Sequence, residues 1–402
     1  MKNKAASLTF IFITILIDVI GVGIIIPVLP TLIENLTGEG LSEASRIGGW
    51  LIFSYAIMQF VFAPLLGSLS DKYGRKPILL IALFGLGLDY FLHAYAPSLA
   101  WLFVGRLLAG MCGASYTVAT AYIADISKPE EKAQNFGMVG AAFGLGFIVG
   151  PVIGGLAAKH SVQLPFLIAA TLTLLNFLYG WFILPESLKV ENRKKTVSLK
   201  KANPVGSFHL LKRNVVVSAL AVAFFLLYLA SHSVQSTWTF FAMYKFDWDE
   251  AMVGYSLAVV GITVAIAQGF LVKKFVAKFG ERITIYFGYT MWILGLSLFA
   301  LATQGWMLFV FVLPYCLGGI ASPTLQGTVS NQFNEKEQGE LQGALTSLIS
   351  LTAIFGPVLM TNIFHRFTGE EASIHFPGAP FALGAVLVLI SMFISLGAFK
   401  KS

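Results

Sequence analysis

Three strongly ionisable side chains, Asp18, Asp89 and Arg106, interrupt long apolar stretches of this sequence. An ionisable group in the middle of a membrane-length apolar segment costs about 2.5–3.5 kcal/mol on insertion scales, which makes each of the three a functional candidate. A carboxyl group between apolar surroundings and a guanidinium can bind a proton in one conformation and release it in another. The three residues therefore predict proton coupling. The alternative is a static buried ion pair that fixes helix packing.

The composition is that of a membrane protein. The chain has 402 residues, of which 56% are hydrophobic and 12% charged, whereas a soluble domain carries about 45–50% apolar and about 25% charged residues. Polar groups cannot cover such a chain, so a soluble globular enzyme is excluded. Cys112 and Cys316 lie in apolar runs and predict neither a disulfide framework nor a metal cluster.

Twelve apolar segments are long enough to span the membrane, because the ~30 Å hydrocarbon core requires about 20 helical residues. Continuous apolar runs predict helices rather than the alternating strands of a barrel. The first run contains Asp18 and lacks a small-residue cleavage site, so we expect a retained span and not a signal peptide. The predicted spans are 8–33, 46–70, 78–96, 98–122, 135–158, 163–184, 214–241, 250–275, 283–301, 304–328, 340–365 and 378–398.

Basic residues sort the loops between the two sides of the membrane. Of the 27 Lys and Arg residues, 22 lie at the amino terminus, in or beside the loops after even-numbered spans, or in the carboxyl tail. The positive-inside rule predicts that both termini are cytoplasmic. The basic segment 185–213 is then a cytoplasmic linker that attracts anionic lipid headgroups, and we expect no nucleic acid as a partner.

The sequence repeats itself with an offset of 206 residues. The matches are Gly74 to Gly280, Gly113 to Gly319, Glu131 to Glu337, Gly137 to Gly343, Gly150 to Gly356 and Pro151 to Pro357. They predict two pseudo-symmetric six-helix bundles, 1–184 and 214–402, joined by the linker. Duplicated bundles of this kind hold a substrate between the halves and expose it alternately to each side.

The three ionisable residues fall at one depth. At about 1.5 Å per residue, Asp18 and Asp89 lie about 15 and 16 Å from the cytoplasmic ends of spans 1 and 3. Arg106 enters span 4 from the outside and reaches about 12 Å down. His93 follows Asp89 by one helical turn and can pair with it, although it lies near the outer boundary.

We expect a substrate cavity near these residues. Its neutral and aromatic candidates are Gln59 in the first half and His232, Trp238 and Trp292 in the second. For His232 the alternative is a histidine that simply meets water at the outer end of its helix. The spans contain no nucleophile–base pair and no metal-ligand set, so we expect neither enzyme activity nor a metal or cofactor.

The loop between spans 2 and 3 carries the motif Gly67-Ser-Leu-Ser-Asp71-Lys-Tyr-Gly74-Arg75-Lys76. Small residues let helices approach closely, and Asp71 can sit at a helix amino terminus, where the dipole favours an anion. Arg75 and Lys76 can hold carboxylates or headgroups. The motif predicts a cytoplasmic gate, and the alternative is a topology signal without a gating role.

Span 5 carries small residues on one face together with a proline. These residues are Gly146, Gly150, Pro151, Gly154 and Gly155. No strand precedes them and they lie within a hydrophobic span, so they do not form a phosphate-binding loop. They predict close helix packing with a bend, as in a helix that slides or rocks.

Together these residues resemble the major facilitator superfamily over the whole chain. The segment 67–76 resembles its signature between helices 2 and 3, Arg106-Leu-Leu-Ala-Gly110 its helix 4 arginine motif, and 144–155 the helix 5 motif of drug/proton antiporters. Further segments are similar to the tetracycline/proton antiporters: 18–30, 89–90, 121–126, 184–187, 305–307 and 339–343.

The resemblance implies export of a small molecule from the cytoplasm in exchange for protons, by a multi-pass protein of the cytoplasmic (inner) membrane. Its partners are then the substrate, protons and membrane lipids, and a monomer is expected. The implied roles are proton coupling for Asp18 and Arg106, cavity positions for Asp89 and Gln59, and control of the cytoplasmic gate for Asp71, Arg75 and Asp125.

Two positions depart from the antiporter pattern. Trp292 stands where the tetracycline antiporters usually have an aspartate, and Val264 stands where they usually have a histidine. Both groups are associated with the cationic metal–tetracycline species, so their absence disfavours tetracycline and favours a more hydrophobic or aromatic ligand. A proton symporter for a nutrient, a lipid-handling carrier and a non-transporting membrane receptor remain as alternatives.

Overall fold

The computed structural model is helical, and it describes residues 2–113, 115–127, 132–194, 211, 215–333 and 338–400. These ranges contain fifteen α-helices and no strand, which confirms the predicted all-α fold. The helices are α1 Lys2–Ile25, α2 Leu29–Thr37, α3 Leu41–Tyr73, α4 Arg75–Ala94, α5 Leu99–Cys112, α6 Ser115–Ile126, α7 Lys132–Ala158, α8 Leu164–Ile183, α9 Val215–Phe246, α10 Glu250–Ile266, α11 Val272–Leu301, α12 Gly305–Gly318, α13 Ala321–Ser330, α14 Gln338–Thr368 and α15 Ala379–Phe399.

The first predicted span is divided into two helices. The helix α1 ends at Ile25, and α2 begins at Leu29 after a turn that contains Pro27. Proline lacks a backbone N–H and disfavours the helical conformation of the residue before it, so a helix ends readily here. Pro30 then occupies the first turn of α2, where a missing N–H costs nothing.

Eleven helical stretches of the described residues are long and apolar enough to cross a membrane. One of them, Glu250–Leu301, has 52 residues and would measure about 78 Å as one helix, far more than the ~30 Å hydrocarbon core. Gly280 interrupts it with a φ of 77°. The stretch therefore supplies two crossings, which gives the twelve predicted ones. A π-helical turn, Ala267–Leu271, joins α10 to α11.

The 206-residue repeat is visible in the backbone. The helices α5 and α12 both have 14 residues and start exactly one repeat apart, at Leu99 and Gly305. Gly74 and Gly280 both have positive backbone φ angles, of 109° and 77°. Residues with a Cβ rarely adopt such angles, so glycine at both positions has a physical cause.

The described chain forms two compact units. The first contains residues 1–39, 54–202 and 249–258, and the second contains 40–53, 203–248 and 259–402. Each of α3 and α10 thus contributes one end to one unit and the rest to the other. The predicted boundaries at 184 and 214 stay a prediction, and residues 195–210 and 212–214 of the predicted linker lie outside the described residues.

The helix α1 is packed on several sides within the first unit. It packs against α7 and α8, and α4 packs against α8 and α5. The core includes Phe10, Ile11, Leu79, Leu83 and Tyr122, all with less than 2% of their surface exposed. This packing fixes the faces of α1, α4 and α5 that carry the three ionisable residues.

Candidate functional site

A cavity of about 250 Å³ lies within the first unit. Asp18 from α1, Asp89 from α4 and Arg106 from α5 all line it, together with Gln59 from α3. The rest of its wall is mainly apolar and aromatic: Ile15, Val19, Val22, Ile25, Tyr55, Leu86, Tyr90, Ala109, Gly113, Ser115, Tyr116, Phe143 and Phe147. An apolar cavity with a few convergent polar groups is the usual form of a small-molecule site.

Asp18 is held from one side. The Ser115 hydroxyl at the start of α6 donates a hydrogen bond of 2.7 Å to Asp18 Oδ2. The other carboxylate oxygen, Oδ1, has no hydrogen-bond partner within the described residues. Asp18 therefore keeps one oxygen free for a proton, a water molecule or a substrate group.

Asp89 and Arg106 lie side by side across α4 and α5. Arg106 Nη2 is 3.8 Å from Asp89 Oδ2, and the Asp89 side chain is fully buried. Neither Asp89 oxygen, nor Arg106 Nη2, makes a hydrogen bond with any described residue. Buried polar groups are normally satisfied, so this pair has bonding capacity left over inside the cavity.

His93 completes this group. Arg106 Nε donates a 2.9 Å hydrogen bond to His93 Nε2, and His93 Nδ1 lies 3.0 Å from Asp89 Oδ1. The sequence alone indicates only that His93 can pair with Asp89, one helical turn before it. The bond to Arg106 depends on how α4 and α5 pack.

Gln59 is fixed by neighbouring groups. Its side-chain amide donates 3.2 Å hydrogen bonds to the Tyr55 hydroxyl and to the Gly113 carbonyl. The carbonyl oxygen of Gln59 is left as the group that can accept a bond from a ligand. Tyr55, which also lines the cavity, was not singled out by the sequence because a lone tyrosine in an apolar span is unremarkable.

The three candidates of the second half lie elsewhere. Trp238 is 2% exposed and packs edge-on against Phe299, with ring centroids 5.0 Å apart. Trp292 is 6% exposed and lies 6.1 Å from the Tyr315 ring. His232 is buried against Gly356 of α14. None of the three is among the residues around the 250 Å³ cavity, and their assignment to the substrate site stays a prediction.

The motif at the junction of α3 and α4 forms an ion-pair cluster. Arg75 bridges two carboxylates, with Nη1 2.6 Å from Asp71 Oδ1 and Nε 3.0 Å from Asp125 Oδ2. Its Nη1 also donates to the Ser70 hydroxyl, which in turn donates to the Gly67 carbonyl. Arg75 is 8% exposed, so the planar guanidinium holds α3, α4 and α6 together from inside the cluster.

Glu186 takes the helix-terminal position that the sequence suggests for Asp71. Its carboxylate accepts hydrogen bonds from the backbone N–H groups of Arg75 at 2.9 Å and Lys76 at 3.2 Å. These N–H groups belong to the first turn of α4, where the helix dipole favours an anion. Asp71 instead pairs with Arg75 and Lys194.

Glu186 also explains Gly74. A Cβ at position 74 would collide with the Glu186 carboxylate. Lys76 reaches the other way and donates to the Trp181 carbonyl at 2.9 Å. The segment 184–187 resembles the antiporters, but its contact with α4 depends on a separation of more than 100 residues that the sequence does not reveal.

The small residues of α7 face two neighbours. Cβ atoms at Gly146 and Gly150 would lie 2.7 Å from Val19 Cβ and from the Ile20 carbonyl oxygen of α1. Gly154 meets α1 as well, at Ile24, and Gly155 meets residues 250–251 at the start of α10. Pro151 lies inside α7, against Gly254 of α10. The predicted close packing therefore involves both α1 and α10.

A model of the Major Facilitator Superfamily matches residues 11–274 and 220–401 of the chain. The chain belongs to the major facilitator superfamily. This facilitator is 41% identical to the Tetracycline resistance protein, class C, of Escherichia coli, over 98% of this chain and 96% of that protein. It is 42% identical to the class E protein of Escherichia coli, over 87% and 86% of the two chains.

The fold of this facilitator is also that of solved transporters. It matches the crystal structure of the nucleoside transporter NupG with a TM-score of 0.77 and 16% identity, covering 98% of this chain and 100% of that one. The predicted fold class and the resemblance to the tetracycline/proton antiporters are thereby confirmed.

Proposed function

We propose that this facilitator exports a small amphipathic or aromatic compound from the cytoplasm in exchange for protons, with Asp18, Asp89 and Arg106 as the proton-coupling residues. The observation that carries the proposal is that all three line one cavity within membrane-spanning helices. Asp18 Oδ1 and both Asp89 oxygens have no hydrogen-bond partner in the described residues. Carboxylates in this state can bind protons. A substrate or a conformational change can then displace those protons.

The proton gradient is adequate for such export. One elementary charge crossing 100 mV yields about 2.3 kcal/mol. Since about 1.4 kcal/mol corresponds to a factor of ten, one proton per substrate supports a gradient of roughly 50-fold. ATP is then not required.

The cluster around Arg75 is proposed to close the cytoplasmic gate, with Gly67, Asp71, Gly74, Arg75, Lys76 and Asp125 as its residues. Its contacts join the junction of α3 and α4 to α6 and to residues 184–194. Ion pairs can break and reform without unfolding a helix. They therefore suit a gate that opens in each cycle.

The protein is proposed to lie in the cytoplasmic membrane as a monomer, with both termini on the cytoplasmic side. The distribution of Lys and Arg supports this orientation, and the basic linker is proposed to contact anionic lipid headgroups. The two six-helix halves, 1–184 and 214–402, are proposed to act by alternating access. His232, Trp238 and Trp292 are proposed as the contribution of the second half to substrate binding.

The decisive experiment measures ligand binding and proton release with purified protein. The probes are the lipophilic cation ethidium, a neutral aromatic compound such as chloramphenicol, and magnesium–tetracycline, each titrated between pH 6 and pH 8. We expect at least one probe to release protons on binding. The expectation from Trp292 and Val264 is that magnesium–tetracycline is not the strongest.

Asp18→Asn is the test variant and Asp247→Asn is its matched control. Asp247 is exposed and precedes α10, so its loss removes a carboxylate without touching the cavity. Proton release that disappears in D18N and persists in D247N supports the proposal. Equal binding at every pH without proton release, in the wild type, contradicts antiport and favours facilitated diffusion or lipid handling.

A further inference from the structure

His93 is fully buried between two charged residues. It lies on α4, with Asp89 one turn before it on the same helix and Arg106 facing it from α5. The helix α8 covers it with Phe166, whose ring is stacked at 5.9 Å. Apart from Asp89 and Arg106, the ionisable groups around the adjoining cavity are Asp18, Tyr55, Tyr90 and Tyr116.

The hydrogen bonds define the protonation state of the ring. A guanidinium can only donate, so Arg106 Nε, at 2.9 Å, requires a lone pair on His93 Nε2. The ring proton then sits on Nδ1, which donates to the Asp89 carbonyl oxygen at 2.9 Å. In this arrangement His93 is neutral.

The same geometry makes Arg106 and a proton competitors. Both need the lone pair of His93 Nε2, so His93 can become an imidazolium only when the Arg106 N–H withdraws. The imidazolium would still have the Asp89 carboxylate, 3.0 Å from Nδ1, as a counter-ion. The Arg106 guanidinium would then move towards the cavity, with its Nη2, which has no hydrogen-bond partner in the described residues, available to a ligand.

The helix packing around the His93 ring allows Arg106 to approach it closely. Gly105 on α5 faces both residues, and a Cβ there would lie 2.7 Å from Asp89 Oδ1 and would collide with His93 Cε1. The absence of a side chain at this position lets α5 bring Arg106 against His93.

We propose that His93 is a proton-responsive positioning residue, which holds Arg106 against Asp89 when neutral and releases it into the cavity when protonated at Nε2. This inference rests on the proposed function, because the proton is one that the antiport cycle delivers. The step breaks the Arg106 N–H···N bond and forms an N–H bond at Nε2. No electrons are transferred.

The first test is spectroscopic and needs no substrate. In lipid nanodiscs at pH 8, ¹⁵N-histidine NMR should show the His93 ring, identified by the loss of its signals in H93Q, as the neutral form protonated at Nδ1. Arg106→Met removes the donor to Nε2 while keeping most of the side-chain volume, and it should weaken this tautomer preference and shift the Nε2 signal. A ring protonated at Nε2, or a spectrum unchanged in R106M, would overturn the proposal.

The second test is the pH profile of transport in everted membrane vesicles, with ethidium and magnesium–tetracycline as probes. The glutamine of H93Q can still accept from Arg106 but cannot titrate, so we expect the change in rate between pH 6 and pH 8 to be at least twofold smaller than in the wild type. His160→Gln, which removes an exposed histidine of the same unit, should keep the wild-type profile. A wild-type profile in H93Q contradicts the proposal.

The two tests separate the proposals. If the wild type transports neither probe against a gradient, the proposed antiport of these compounds fails, while the tautomer of His93 still decides the present inference. H93A, which removes both acceptor and donor, should lower the rate at every pH. If H93Q and H93A behave alike at every pH, the role of His93 is structural only and the inference is wrong.

Discussion

Asp18 and its neighbour Ser115 show how a buried carboxylate is kept partly satisfied. The Ser115 hydroxyl donates to Oδ2, and Oδ1 has no hydrogen-bond partner in the described part of the chain. A fully satisfied carboxylate would be a rigid packing element, whereas a wholly unsatisfied one would be expensive to bury. The intermediate state suits a group that changes protonation during function.

Loss of the Ser115 hydroxyl should therefore impair coupling. Hydrogen bonds to charged groups contribute about 1.5–3 kcal/mol, so we expect S115A to lower the rate of proton-driven ethidium transport about tenfold or more. S115T keeps a hydroxyl on Cβ and should retain at least half of the rate. Initial rates in everted vesicles, normalised to protein content, measure both. Equal rates in S115A and the wild type would show that Ser115 does not support Asp18.

At the scale of the element, the spacing of small residues along α7 has a direct physical meaning. Gly150 is pressed against α1, where a Cβ would lie 2.7 Å from the Ile20 carbonyl oxygen and 2.9 Å from Gly23 Cα. Gly144 belongs to the same glycine-rich segment, yet a Cβ there would have nothing within 4 Å. The sequence pattern does not distinguish these two glycines.

This difference predicts opposite effects of alanine. G150A forces α1 and α7 apart, and overpacking of this kind costs about 1–3 kcal/mol. G144A has room for the methyl group and gains helix propensity of up to about 1 kcal/mol. Thermal unfolding of the purified variants should therefore show a lower midpoint for G150A and an unchanged or higher one for G144A. Similar midpoints would mean that the α1–α7 contact is not tight.

The short helix α2 gives a pH-dependent prediction. Partial burial raises the pKa of Glu34, and the nearby Glu250 carboxylate raises it further. Because the pKa is higher in the folded than in the unfolded state, ionised Glu34 destabilises the fold at neutral pH, and this penalty disappears as the pH falls below the unfolded value.

E34Q should accordingly unfold about 1–3 °C higher than the wild type at pH 7.5. The two proteins should unfold at the same temperature near pH 4. E39Q, at an exposed position two residues beyond α2, serves as the control and should match the wild type at both values. A stabilisation by E34Q that is equal at pH 4 and pH 7.5 would have another cause than charge.

At the scale of the whole molecule, orientation in the membrane follows from the Lys and Arg distribution. Lys159 and Lys274 are both exposed, but they lie on opposite sides in the predicted topology. In a background where Cys112 and Cys316 are serine, K159C should react with a membrane-impermeant maleimide added to intact cells or spheroplasts, and K274C should react only after lysis. The reverse pattern would invert the topology and with it the proposed direction of export.

Much of the fold could be predicted from local sequence. Burial of about 20 apolar residues in hydrocarbon is favourable segment by segment, so the twelve spans were recognised without knowledge of their neighbours. The repeat added the pairing of Gly74 with Gly280, and the structure shows positive φ angles at both glycines. Helix ends were less predictable, as in the turn at Pro27 that separates α2 from α1, because they depend on backbone hydrogen bonds and not on hydropathy.

Residue type and depth are enough to show which side chains are costly in the membrane, because transfer free energy depends on these two properties. Asp18, Asp89 and Arg106 were found in this way. Which of these groups contact one another depends on the tertiary structure. The ring of His93 lies between Asp89 and Arg106, and Glu186 caps α4 across more than 100 residues. Such contacts are set by the rotation and crossing of packed helices, and no local pattern specifies those two quantities.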